Sequence, residues 1–339
     1  MTKPETTIII LAAAFFMSCT TRLVRTAPPT TLRQVREKIL MENQARLPRG
    51  YVFTHPEEQS FFEEDFHLDL FARRFEAGEI VYGEILPINC SRPKIEMQGQ
   101  NIELAILDDR YRFFTAIHPD YEKEILPLNI SCKNKYVLEL FLKKKIWPES
   151  RSTLDLGSHS NVATYQKEEI QRWIEESKKL KNKAFAAKDQ VYLNHKLYHP
   201  RSEHHITSAF WMKRYYERYY MKDGQKVMLK PSVSVHRGID LRGLVGEPVY
   251  AMADGRVVLA ASLYYEGNFV LLSHGHGIFT GYMHLSEILV KEGEIVRAGT
   301  LIGRCGNTGM VTASHLHVML VVRSIPADPL GLLHLPIRP

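Results

Sequence analysis

The sequence is poor in cysteine and has no long apolar run. Four Cys in 339 residues exclude a disulfide-stapled miniprotein. No uncharged apolar run reaches the roughly 18 residues of a membrane span, which excludes a spanning helix. Charge of one sign is also scarce in excess: 44 Lys+Arg against 38 Asp+Glu leave +6. That is only a mild preference for anionic surroundings such as a cell wall, nucleic acid or lipid headgroups. What is present is ordinary for a globular chain, 45% hydrophobic and 24% charged, so disorder is excluded for most of it. The length suggests two folded domains and an appendage.

Residues 8 to 17 form an uncharged apolar run of signal-peptide length, with Lys3 before it and Ser18-Cys19 after it. A small residue and then Cys after such a run resembles the bacterial lipoprotein signal, here with Phe16 where Leu is usual. That resemblance implies a signal peptide over 1–18, a lipidated Cys19 and a membrane anchor through the lipid. A plain secretory signal with an incidental Cys is the alternative. Export in either form permits disulfides, and Cys90 and Cys132 fall in one candidate domain.

Residues 19–75 show no sustained alternation. They read as a tether with one helix, Thr31 to Ala45. Short β-rich runs follow at Ile80 to Leu86, Ile102 to Leu107, Tyr111 to Ala116 and Tyr136 to Leu142. Their punctuation predicts a small immunoglobulin-like β-sandwich over 76–150, a spacer or binding module with no catalytic constellation. Residues 160–190 hold a charged helical connector whose stripe runs Ile170, Trp173, Ile174, Ser177, Leu180, Ala184 and Ala187. From residue 200 to 335 strand-like runs alternate with Gly turns, which predicts a compact β domain. The fold class is therefore mainly β.

Three segments of this last domain carry the chemistry. In His236-Arg-Gly-Ile-Asp240, an ideal strand would separate His and Asp by roughly 13 Å, too far to share an ion. Gly238 permits a bend, as a bulge or a left-handed residue. Val233, Val235, Ile239 and Leu241 alternate as a buried face, leaving His236 and Asp240 on the other. Tyr282-Met-His284-Leu285 ends a second strand. His315-Leu316-His317 opens a third, with both His on one face. One His is more often structural than a ligand, but three such segments in one domain point to a metal.

Together these residues resemble the lysostaphin-type, or LytM-like, zinc metallopeptidases that cut peptidoglycan. The likeness covers about Ile206 to Pro329 and includes the opening run Ile206-Thr-Ser-Ala-Phe210, Gly246-Glu-Pro-Val-Tyr-Ala251 and the turn Gly306-Asn-Thr-Gly309. It implies the duplicated hybrid β architecture of that family. It makes His236, Asp240 and His317 the ligands of one Zn2+, His315 the general base and His284 the second catalytic His. The implied substrate is the stem peptide of peptidoglycan, not nucleic acid, and the implied place is the cell envelope.

Departures from the family pattern lie in the groove. Ala313-Ser314 stands where Gly-Pro is frequent, Val318 follows the last ligand, Trp211 stands where Gly is common, and Met212 to Lys230 is long and rich in Tyr and Lys. The main rival is a catalytically idle LytM-like binding module that activates a cell-wall amidase. The turn Lys291-Glu-Gly-Glu-Ile-Val-Arg-Ala-Gly299 also looks like that of biotinyl and lipoyl carriers, which have no use for the His and Asp set. His195, His199, His204 and His205 could supply an inhibitory fourth ligand, although a polar loop is the simpler expectation. His274 and His276 read as solvated turn residues.

Overall fold

The computed structural model describes residues 30–155 and 167–339. The signal peptide and Cys19 lie outside these residues. No described helix is long and apolar enough to cross a membrane.

Two antiparallel sheets form an amino-terminal sandwich. One has five strands in the order Glu57–Phe62, Phe66–Ala72, Ile80–Pro87, Arg110–Ala116 and Ala105–Leu107. The other has four, Gln100–Ile102, Lys94–Met97, Ile125–Ser131 and Lys135–Phe141. Phe66, Leu68, Leu70, Val81 and Ile85 of the first sheet meet Ile95, Leu126, Leu128 and Leu140 of the second in one buried core. Cys90 and Cys132 are joined by a disulfide. The sandwich thus takes in residues that the sequence assigned to a tether. The first two strands end at residue 72, and both pair within the five-stranded sheet.

The outer face of that sheet is not solvated, which explains why Phe66–Ala72 is buried at every position. Phe71, Ile80, Tyr82 and Phe114 join a second core with Leu320, Val322, Leu330 and Leu332 of the carboxy-terminal domain. Polar residues on this face are paired. Helix α1 (Thr30–Gln44) sends Arg36 to Asp69 and Glu84, each at 2.9 Å, and Arg338 reaches the other oxygen of Glu84 at 2.9 Å. Burying two carboxylates is tolerable only because each has a cation bonded to it.

The carboxy-terminal domain is built on an antiparallel sheet. Its strand order is Ile206–Ser208, Ile239–Arg242, His315–Val322, Ile278–Leu285, Gly267–Gly275, Gly255–Leu263 and Ile295–Val296. Ile325–Ala327 pairs beside His315–Val322. A smaller sheet of Pro248–Tyr250, Leu301–Arg304 and Glu287–Ile288 closes the domain. Helix α2 (Glu168–Phe185) packs Ala184 with Leu259, Phe269 and Phe279. Its expected stripe holds only in part, since Trp173 and Leu180 are exposed while Ser177 is buried and accepts from Tyr264 N.

A further sheet centres on Lys213–Lys222. Glu149–Asp155 runs parallel along one edge, and Ser232–Val235 and Gln225–Met228 run antiparallel along the other. The predicted continuous face Val233, Val235, Ile239, Leu241 is therefore split between two sheets. Ile239 and Leu241 are buried, whereas Val233 is 62% exposed.

Candidate metal centre

Register brings two of the predicted ligands together. Asp240 and His317 are direct cross-strand partners, and Met283 lies opposite His317 on its other side. Side chains opposite each other on one face approach closely in an antiparallel pair. His236 precedes its strand, and its backbone is fixed by bonds with Met212 and Trp211. Gly238 is what lets the chain pass between these residues. A Cβ there would lie 2.3 Å from the Val318 carbonyl and 2.6 Å from His317 Nε2. The glycine thus serves a close approach, and its φ is not in the left-handed region.

The result is a triangle. His236 Nε2, Asp240 Oδ1 and His317 Nδ1 are mutually 2.9 Å apart. They are the one group of its kind among the described residues with metal-ligand geometry. His236 Nδ1 lies 2.9 Å from the Ala209 carbonyl, which can only accept, so the ring proton sits on Nδ1. The Nε2 lone pair then faces a carboxylate oxygen and another imidazole nitrogen. A proton could bridge one of these contacts well, but not all three. A divalent cation answers all of them, and donors about 2.0–2.1 Å from one ion stand roughly 3 Å from each other. Two imidazoles and one carboxylate are the protein share of a catalytic zinc site, which keeps a position open. The residues fit the metal.

Charge agrees with this reading. Burial pushes the Asp240 carboxyl up, but the His236 and His317 imidazoles outweigh it and hold the group well below the usual carboxylate range. Burial pushes the His317 imidazole down, against the pull of Asp240. The His317 ring is thus favoured in the neutral form a metal requires of His.

The other two predicted histidines flank the triangle. His315 Nε2 is 3.6 Å from Asp240 Oδ1, and the His284 and His315 ring centres are 5.0 Å apart. His315 Nδ1–H donates to the Ala313 carbonyl at 2.8 Å, and His284 Nδ1–H donates to the Thr308 carbonyl at 3.0 Å. Each ring therefore keeps an Nε2 lone pair. Burial pushes the His284 imidazole down to about 4, so it is neutral in ordinary buffers. His284 has a left-handed backbone, φ 65°, which costs a non-glycine residue energy. The Glu266 carbonyl accepts its N–H at 2.9 Å and holds it there. Thr308 sits in the predicted Gly306–Gly309 turn, and its hydroxyl donates to the Leu285 carbonyl at 2.7 Å.

One functional neighbour was not visible in the sequence. Arg214 Nη2 donates to Asp240 Oδ2 at 3.0 Å and to Ser208 Oγ at 2.7 Å, and Ser208 Oγ lies 3.2 Å from His236 Nδ1. Arg214 belongs to the long Tyr- and Lys-rich insertion, where no spacing rule singles it out. The histidines before the domain do not join the site. His199 is fully buried, with Nε2 3.1 Å from His204 Nδ1. His274 and His276 are not solvated either. His274 is fully buried between the Asp254 carbonyl and Thr280 Oγ1.

Two imidazoles and a carboxylate on a β domain are the donor set that metallopeptidases use. Residues 234–329 match Peptidase family M23. The peptidoglycan DD-endopeptidase ShyA of Vibrio cholerae is 47% identical over 96 residues, 28% of this chain and 22% of that protein. Lysostaphin of Staphylococcus simulans is 37% identical over 126 residues, 37% of this chain and 25% of that one. The solved catalytic domain of lysostaphin is 39% identical, covering 29% of this chain and 79% of that chain with a TM-score of 0.28. The chain thus spans about a quarter or less of the length of these two full-length relatives.

Proposed function

We propose that this protein is an exported zinc-dependent endopeptidase that hydrolyses peptide cross-bridges of peptidoglycan. The observation that carries the reading is the convergence of His236, Asp240 and His317, flanked by His284 and His315, in a segment that matches Peptidase family M23. The relatives named DD-endopeptidases direct the proposal to D,D cross-links.

Zinc held by the three ligands would supply a Lewis acid for the scissile carbonyl and lower the pKa of a water towards 7. His315, with its proton fixed on Nδ1, presents Nε2 as the base that takes the water's proton. His284 presents its own Nε2 beside it and can receive a proton and return it to the leaving amine. Arg214 holds the outer oxygen of Asp240, so the inner one stays turned to the imidazoles.

Export is supported by the apolar run before Cys19 and by the Cys90–Cys132 disulfide, which needs an oxidising compartment. Lipidation of Cys19 would anchor the protein in the envelope, with the sandwich as a spacer between the bilayer and the peptidase domain. Digestion of purified sacculi by the mature chain, with and without chelator, tests the function alongside zinc content. About one zinc per chain and chelator-sensitive release of cross-linked fragments is the expected result. Absence of both zinc and digestion would favour the amidase-activating module instead.

A further inference from the structure

The strand Lys213–Lys222 begins at the metal site and carries charge away from it. Residues 213–230 contain Lys213, Arg214, Arg218, Lys222, Lys226 and Lys230 against Glu217 and Asp223, a balance of +4 where the whole chain has +6. This segment therefore holds most of the excess positive charge, concentrated beside the candidate catalytic residues.

The two faces of the strand are used differently. Alternation puts Tyr215 and Tyr219 on one face and Arg214, Tyr216, Arg218 and Tyr220 on the other. On the first face each ring is covered by a cation, Arg151 at 4.6 Å over Tyr215 and Lys226 at 3.9 Å over Tyr219. The second face is the one from which Arg214 reaches Asp240. On it, Tyr216 and Tyr220 make no side-chain hydrogen bond, ring contact or cation contact with any described residue. The neighbours in register are hydroxylic at one end, Ser150 and Ser234 beside Arg214 and Ser152 and Ser232 beside Tyr216, and apolar at the other, Leu154 beside Arg218 and Val227 beside Tyr220. Tyr216 and Tyr220 are half-buried.

The backbone of this strand is not open to a peptide. Its edges are occupied by Glu149–Asp155 and by Ser232–Val235 and Gln225–Met228, so strand addition has no vacant edge here. What remains is a side-chain surface of two half-buried phenol rings with serine hydroxyls beside Tyr216. That is the chemistry of a sugar site. The C–H face of a pyranose stacks on the electron-rich face of an aromatic ring. Its hydroxyls and amides bond to serine hydroxyls. Tyr216 and Tyr220 are roughly 13 Å apart along the strand, so they would engage separate sugar rings.

We infer that this face is a platform for the glycan strand of peptidoglycan, holding the sugar backbone while the attached peptide lies at the metal site. The inference rests on the peptidoglycan reading above. Its test is binding of the mature full-length chain, in chelator, to peptide-free glycan strands of N-acetylglucosamine and N-acetylmuramic acid. Wild-type protein binds. Tyr216→Ala and Tyr220→Ala each weaken binding roughly tenfold, the ~1.4 kcal/mol of one stacking contact. Tyr219→Ala, on the opposite face, stays within about twofold, and thermal melts establish that all variants fold.

No wild-type binding would overturn the platform, as would an equal loss in Tyr219→Ala. So would binding that survives both front-face substitutions and vanishes with added salt, because that is charge adhesion alone. Digestion of sacculi without chelator separates the two readings. Cleavage without glycan binding removes the platform and leaves the peptidase. Glycan binding lost on the front face alone, without cleavage, keeps the platform and removes the peptidase.

Discussion

Arg214 Nη2 and Asp240 Oδ2 lie 3.0 Å apart, so a cation from the strand Lys213–Lys222 holds the carboxylate oxygen that the two imidazoles do not use. Arg214 also bonds Ser208, next to His236. Removing such an outer partner of a ligand commonly costs about 10–100-fold in metal affinity or activity. Arg214→Ala is expected to fall in that range, and Arg214→Lys to recover part of it without the second bond. Zinc affinity by competition with a chromogenic chelator, measured beside kcat, checks this. Unchanged affinity and kcat in Arg214→Ala would show that Asp240 needs no support.

His317 and His315 are two residues apart but do different work. His317→Ala removes one corner of the triangle, so metal and activity are expected to be lost together. His315→Ala leaves the triangle intact and should keep metal while activity drops by about 10²–10⁴-fold, the range of general-base catalysis. Metal analysis and muropeptide release on the same preparations separate the cases. Near-normal turnover in His315→Ala would remove it as the base.

Gly238→Ala tests the close approach that forms the site. The added methyl meets the Val318 carbonyl and the His317 ring, and backbone cannot give way as a flexible side chain would. The strand His315–Val322 must shift, at about 1–3 kcal/mol or more. The expected variant is less stable and binds zinc weakly, read by thermal denaturation with and without added metal.

Buried histidines set a pH response for stability. Burial pushes His199, His274 and His334 each down to about 4. Their folded values lie below the ordinary 6.5, so the unfolded chain binds more protons between these limits. Stability is therefore complete above about pH 6.5 and falls as pH drops towards 4, by about 1 kcal/mol per residue per unit. His274 shows the cause. It accepts at Nε2 from Thr280 Oγ1, and protonation would place donor against donor. Denaturant midpoints at pH 7.5, 5.5 and 4.5 should decline in that order; a flat series would refute burial as neutral rings.

The Cys90–Cys132 bond closes a loop of 42 residues in sequence separation. Chain entropy assigns such a loop about 4 kcal/mol. The double Cys→Ser variant should unfold at lower denaturant, in a transition followed by intrinsic fluorescence, and reductant should do the same to wild type.

Much of the site was legible because its donors cluster in three short segments whose spacing already separates core from polar faces. Alternation set Asp240 apart from Ile239 and Leu241 and put His315 and His317 on one face, whereas the choice of ligands and the part given to His284 came from the family resemblance. Arg214 needed tertiary structure, since the sheet that presents it is assembled from Glu149–Asp155 and a distant hairpin. The sandwich was legible only in its later part. Phe66, Leu68, Leu70 and Ala72 do alternate with His67 and Asp69, but acids precede the run and Phe71 breaks it. Phe71 is apolar because that face meets a second domain, a fact no local pattern carries. The same holds for His274, whose turn-like setting concealed full burial.

Glu84 has a consequence for the order in which the protein matures. Its two arginines arrive from α1 and from Arg338, so the carboxylate on the sandwich is not fully neutralised until residues beyond the peptidase domain have been synthesised and docked. A nascent chain emerging sandwich-first would carry an incomplete ion cluster and an uncovered apolar sheet face. Acquisition of a closed sandwich and acquisition of a finished peptidase domain would then be one event, and a half-delivered chain would be recognisable to quality control as unfinished.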